Sequence, residues 1–225
     1  MKSRKGVVLL AIVLFGGLFF AFKNSGLVGS DILLTQRQRL LAAVGTALEE
    51  QHYSPKKIDD DFSSQVFTKF LNEMDGDKSH FLQSDIDQFN KYKFKLDDEI
   101  HGEAPVEFVP AVSRVFDQRI KDVMEIYKEI LSKPFDFSKE ETTVMDGAKL
   151  NFVATPAERV ERWRKKLKYY TLERYVDLLD QKEKNKGKKD FVVKADTTLE
   201  REAREKVLKV MDDTYERIQK TYKED

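Results

Sequence analysis

The chain has 225 residues, of which 36% are charged and 40% apolar, the balance of a soluble helical protein with long exposed faces. Its 40 basic and 40 acidic residues cancel, and it has no cysteine, so a disulfide framework and a thiolate metal site are both excluded. Few runs alternate apolar and polar residues as half-buried strands do, and the sequence therefore predicts an all-α fold.

The N-terminus predicts a membrane-targeting segment at residues 1–23. Three basic residues among the first five precede an uninterrupted apolar run, Gly6–Phe22, which Lys23 closes. The run is about as long as the shortest membrane-spanning helices, and its basic flank predicts that the chain beyond it leaves the cytoplasm. Because no A-x-A cleavage motif follows, we expect an uncleaved signal anchor and a linker over residues 24–30; a cleaved signal peptide is the alternative.

Apolar residues at helical spacing predict about six amphipathic helices in residues 31–225. Four of these helices have a serine or threonine at the predicted N-cap position: Ser54, Ser84, Thr155 and Thr197. The last two begin capping boxes that end at Glu158 and Glu200. The predicted helices cover, in chain order, residues 31–51, 55–74, 85–101, 106–132, 156–181 and from 198 onward.

One long connection, residues 133–154, is predicted to be irregular. We expect it to pack on the helices because five large apolar residues lie in it, Phe135, Phe137, Met145, Leu150 and Phe152. Phe191-Val192-Val193 predicts a short extended segment. No stop signal follows the last predicted helix, which favours an interrupted chain over a complete one.

Several short motifs along the folded region resemble the N-terminal domain of tail-specific proteases, the carboxy-terminal processing peptidases of the bacterial periplasm. The resemblance covers roughly residues 31–225. It is carried by His52-Tyr53, Asp59–Asp61 before Phe62-Ser63, Phe70-Leu71 before Asp75, His80-Phe81-Leu82, Ser84-Asp85-Ile86 before Phe89, Lys133–Phe137 and the Trp163 helix.

The resemblance implies a domain without catalytic residues of its own. The family uses a serine nucleophile and a lysine base, with a PDZ domain ahead of the peptidase, and both follow the domain found here. No catalytic, cofactor-binding or metal-binding residue is therefore expected. The resemblance implies a scaffold in an envelope protease, in contact with the PDZ and peptidase domains of the same protein. The implied partners of that protease are protein substrates with apolar C-termini and an envelope adaptor. Residues 1–23 would provide the contact with the membrane.

Two other functions fit the same residues. A stand-alone, membrane-anchored helical adaptor would use the same helix faces to recruit a protein partner. A cytoplasmic nucleic-acid-binding protein would use the basic run Lys182–Lys189, but the acidic body argues against it, since residues 24–225 hold 36 basic and 40 acidic residues. Glu183, Asn185 and Gly187 separate the lysines, which favours a solvated loop, with a protein or lipid-headgroup contact as the alternative.

Four patterns that could carry chemistry have simpler explanations. Ser54–Lys57 matches S-x-x-K, yet the companion motifs are missing and Ser54 suits an N-cap. Asp77-Lys78-Ser79 lacks the glycines of a phosphate loop and predicts a turn. The same turn places Asp75, Asp77 and Ser79 as in a calcium loop, but His80 and Ile86 replace the required Gly and Glu. The three histidines, His52, His80 and His101, show no zinc spacing and are expected to cap or pack.

The helix around Trp163 is rich in aromatic residues. Trp163, Tyr169, Tyr170 and Tyr175 cannot all lie on one face at 3.6 residues per turn. Some of them must point outward or into another domain, so this helix is the predicted docking face for the rest of the protease.

Overall fold

The computed structural model describes residues 30–223, with side chains from residue 36 to residue 221. The all-α prediction is confirmed for this part of the chain, where one isolated bridge, Leu82 to Val153, is the only β pairing. The expected signal or anchor segment lies outside it. The helices are α1 Ser30–Thr46, α2 Asp60–Met74, α3 Gln83–Phe89, α4 Leu96–His101, α5 Phe108–Leu131, α6 Pro156–Asn185 and α7 Asp196–Lys223.

Shorter helical pieces join these elements. A π-helical segment, Ala47–Gln51, continues α1, and single 3₁₀ turns occupy Asn90–Tyr92 and Gly147–Lys149. None of the helices in the described range combines the length and hydropathy needed to cross a bilayer.

The chain divides into two compact units. The first comprises the described residues up to Gly76, then Gln83–Asp117, and the end of α7 from Gln219. The second comprises Asp77–Leu82 and Gln118–Ile218.

The start of α2 in the first unit differs from the prediction. Ser54 does not cap a helix, because α2 begins at Asp60 and its cap is Asp59, whose carboxylate accepts from the N–H of Phe62 at 3.2 Å. The irregular segment before α2 is bonded to Glu49, which accepts from the N–H of Ile58 at 2.9 Å. Ile58 is itself buried, so its burial and this bond outweigh the local helix signal at Ser54.

The predicted helix 85–101 is in fact two short helices, α3 and α4. α3 begins at Gln83, so Ser84 lies inside its first turn rather than before it. Between the helices the backbone forms tight turns, in which the N–H of Lys93 donates to the carbonyl of Asn90 and the N–H of Lys95 donates to the carbonyl of Tyr92. α4 then begins where the Ser63 hydroxyl accepts from the Asp97 N–H at 2.8 Å. A partner 34 positions away in sequence thus decides the break.

Two apolar clusters hold the first unit together. Phe108 lies fully buried, with the rings of Phe67, Phe70 and Tyr92 at 5.1–5.9 Å between centroids. A second cluster contains Leu41, Ile58 and Ile100. α4 ends as predicted at Gly102, whose φ of 79° is costly for residues with a side chain.

The second unit is built on α6 and α7. α6 begins as predicted: Thr155 caps it by accepting from the Glu158 N–H at 3.2 Å, and Pro156 is its first residue. The predicted capping box at Thr197 is wrong, because α7 begins at Asp196, two residues before its predicted start, and Thr197 lies within its first turn. Glu200 instead accepts from the N–H of Phe135 at 3.1 Å, fixing the start of the long connection.

The long connection is irregular apart from its 3₁₀ turn, as predicted. Its expected packing is confirmed in part: four of the five apolar residues are half-buried, but Met145 is exposed. The predicted lysine loop is shorter than expected, since α6 runs to Asn185 and includes Lys182. Phe191-Val192-Val193 pairs with no strand in the described residues.

Candidate docking surface

The S-x-x-K pattern lacks the geometry its chemistry requires. Ser54 and Lys57 lie in the irregular segment before α2 rather than on one helical turn. The N–H of Ser54 donates to Nδ1 of His52 at 3.2 Å, and the Lys57 ammonium lies 3.5 Å from the Asp59 carboxylate. The described residues therefore give this serine and lysine structural partners rather than each other.

Asp77 and Ser79 are engaged by their own unit. The Asp77 carboxylate pairs with the Lys166 ammonium of α6 and accepts from the Ser79 hydroxyl at 2.6 Å. Burial alone would raise the pKa of Asp77, but the charge and hydrogen bond of Lys166 outweigh it and hold that pKa below its usual range. These contacts tie the turn to α6, as in a structural turn.

The three histidines have separate surroundings. His80 shares a 2.8 Å hydrogen bond with the Tyr215 hydroxyl, and His101 lies 3.1 Å from the Glu49 carboxylate. His52 packs against Tyr53, with ring centroids 4.9 Å apart and the ring planes tilted by 44°.

Buried polar contacts fix the position of α6 in the second unit. The Arg159 guanidinium donates to the Asp122 carboxylate at 2.8 Å and to the carbonyl of His80 at 2.9 Å. One turn later the Trp163 indole N–H donates to the carbonyl of Ser79 at 2.9 Å. Because hydrogen bonds to charged groups are among the stronger ones, α6 is held in one rotational setting.

That setting turns a stripe of apolar side chains outward. Tyr169, Leu172 and Val176 follow one another at three- and four-residue spacing, and each is more than a third exposed. Trp163, on the opposite side of the helix, is buried. The aromatic residues of α6 therefore do face different ways, as the sequence predicted.

A groove runs beside this stripe. It has a volume of about 980 Å³, and Phe137, Met145, Tyr169 and Leu172 form its apolar lining. A smaller groove of about 440 Å³ lies next to it, lined by residues that include Ile130 and Phe135. Both grooves share the side chains of Lys139, Glu141 and Lys168, which form a ridge between them.

The ridge is fixed by ion pairs to α6. Lys168 donates to the carbonyl of Lys139 at 2.9 Å and pairs with Glu141, which also pairs with Arg164. The hydrogen bonds from Arg164 and Lys168 lower the pKa of Glu141 well below its ordinary value. These ion pairs thus fix the connection to the helix. We refer to the groove, the stripe and Met145 as the α6 docking face.

The described part of the chain is thus all-helical, with an open apolar face on α6. A comparison with known families matches residues 44–224 to the tail specific protease N-terminal domain, and the chain belongs to this family. It is also similar to the tail-specific protease of Haemophilus influenzae, with 30% identity over 128 residues. The match covers 55% of this chain but 18% of that relative, so the chain spans under a fifth of the length of the protein it resembles.

Proposed function

We propose that the chain is the non-catalytic helical scaffold domain of a tail-specific serine protease of the cell envelope. The full-length protein would degrade or process proteins from their C-termini by Ser/Lys nucleophilic catalysis. It would lie in the bacterial periplasm, anchored to the inner membrane or released after signal cleavage. Family membership supports the link to a protease, and the resemblance described above suggests the chemistry and the compartment.

One observation carries the scaffold role: α6 presents an apolar stripe beside a groove. A stripe of Tyr169, Leu172 and Val176 costs solvation free energy when it faces water, and contiguous exposed apolar patches mark interaction sites. The occupant we propose is the PDZ–peptidase part of the same protein.

The test compares two valine variants with matched exposure in the full-length protein. Val176 lies on the α6 docking face with 45% of its surface exposed, and Val210 lies on α7 with 49% exposed. Val176→Lys would place a charge in the docked interface, which costs several kcal/mol when unpaired, so cleavage of a peptide with an apolar C-terminus should fall at least tenfold. Val210→Lys should leave cleavage within about twofold.

Two outcomes would contradict the proposal. If the two variants cleaved the peptide equally well and unfolded at the same temperature, the α6 docking face would not contact the PDZ–peptidase part. An antibody raised against residues 31–225 would reveal the second alternative: a native species at or just below 26.2 kDa would indicate a stand-alone adaptor, whereas a much heavier envelope species is expected.

A further inference from the structure

The loop between α6 and α7 exposes three consecutive apolar side chains. Phe191, Val192 and Val193 are all exposed, and Val192 most of all, at 78%. The backbone before these residues forms turns, with positive φ at Gly187 (84°) and Asp190 (71°). Since nothing in the described part of the second unit covers this tip, it faces outward from the end of the helical pair.

Lysines surround the apolar tip. Residues 182–196 contain six lysines against three acidic residues, and the lysines are Lys182, Lys184, Lys186, Lys188, Lys189 and Lys194. Two of them have weak or local partners: Lys186 lies 3.6 Å from the exposed Glu183 carboxylate, and Lys188 donates to the Asn185 side chain. Lys194 pairs more closely, at 2.6 Å, with Glu202 of α7. A positive local charge therefore accompanies the exposed apolar residues, although the body of the chain is acidic.

The base of the loop is held firmly. Lys182 of α6 donates to the carboxylate of Asp196, the first residue of α7, at 2.7 Å, and this bond raises the pKa of Lys182. Directly below, Leu178, Leu199 and Ala203 form a buried apolar cluster. The tip is thus presented by two helices with a fixed junction.

We propose that this loop, residues 184–194, is a contact site for an anionic phospholipid surface. Apolar side chains at the tip would enter the boundary of the acyl chains while the surrounding ammonium groups meet lipid phosphates. Nucleic acid fits less well, because single-strand binding needs several aromatic side chains for base stacking and the tip has one. The inference does not rest on the proposed function of the α6 docking face.

The test uses the full chain, which has no cysteine, so one introduced cysteine carries a unique fluorophore. Val192→Cys labels the tip, and Tyr53→Cys, with a similar exposure of 82%, labels the first unit as a control. Both are reconstituted in vesicles of brominated phosphatidylcholine, with or without phosphatidylglycerol. We expect several-fold stronger quenching at position 192 than at position 53, and only when the anionic lipid is present.

A charge-reversal pair tests the electrostatic part. Lys184→Glu with Lys189→Glu should abolish most of the quenching, because each lysine near an anionic surface contributes roughly a fivefold factor in binding. Lys206→Glu with Lys209→Glu makes the same charge change on exposed positions of α7 and should leave the quenching unchanged.

Four results would overturn the proposal. They are equal quenching of the two labels, equal quenching with neutral and anionic vesicles, quenching that survives the Lys184/Lys189 reversal, and a label signal that rises with protein concentration in lipid-free detergent. The last would assign the tip to a second copy of the chain. Matching far-ultraviolet circular dichroism of all variants keeps each result interpretable.

Discussion

Glu99 is a buried carboxyl group that serves the helix after its own. Its Oε1 accepts from the N–H groups of Glu107 and Phe108, both at 3.1 Å, and so satisfies the free donors at the start of α5. Burial raises the pKa of Glu99 to about 7, although the two N–H groups act in the opposite direction. The charged form is therefore disfavoured in the folded protein.

The pH dependence of stability follows from that shift. Because the pKa of Glu99 rises from 4.5 to about 7 on folding, its contribution is complete below pH 4.5 and is lost as the pH rises through 7. Glu99→Gln keeps an oxygen acceptor without the charge. We expect the unfolding free energy of the wild type to fall relative to that of the variant by about 2–3 kcal/mol as the pH rises from 5 to 8. Urea unfolding of both proteins at each pH measures this difference.

The control for this prediction is Glu103→Gln, a change at an exposed position of the same stretch. Its unfolding free energy should follow the wild type at every pH. If Glu99→Gln also followed the wild type, the burial of the Glu99 charge would have no energetic consequence in solution.

At the scale of elements, the helices differ in what begins them. α6 is capped by its own Thr155, within three residues of the N–H that it accepts. α7 carries a similar Thr-x-x-Glu pattern at Thr197, but there Glu200 is drawn to Phe135 and to Arg204, which also donates to the carbonyl of Leu131 at 2.7 Å. The Thr-x-x-Glu pattern thus caps α6, whereas in α7 its glutamate binds the long connection.

These two threonines provide a matched prediction. Thr155→Ala removes a cap and should lower the unfolding free energy by about 1 kcal/mol. Thr197→Ala removes an exposed side chain inside the first turn of α7 and should change it by less than about 0.5 kcal/mol. Urea unfolding of both variants under one condition makes the comparison, and equal losses would mean that Thr197 caps α7 in solution.

At the scale of the whole molecule, the second unit carries two exposed apolar surfaces of different character. The α6 docking face is a groove with a fixed ridge, whereas the loop after α6 is an apolar tip among lysines. Val176 lies about 14 Å along the helix axis from Asn185, where that loop begins. Sites this far apart and without common partners usually act independently.

We therefore expect the two surfaces to be separable. In the full-length protein, Val176→Lys should reduce peptide cleavage while leaving vesicle quenching at position 192 unchanged. The Lys184/Lys189 reversal should do the opposite. The combined variant should show both losses at the size seen singly, and a larger or smaller combined effect would indicate that the surfaces are coupled.

The sequence by itself determined the helical class, the long helix α5, the cap at Thr155, the stop at Gly102 and the outward-facing aromatic residues of α6. Each of these depends on contacts within a turn or two of helix, where residue type and spacing decide the outcome. The late start of α2, the break between α3 and α4 and the role of Glu200 were decided by tertiary structure. Their partners lie 9, 34 and 65 positions away in the chain, and only folding brings those side chains within hydrogen-bond reach.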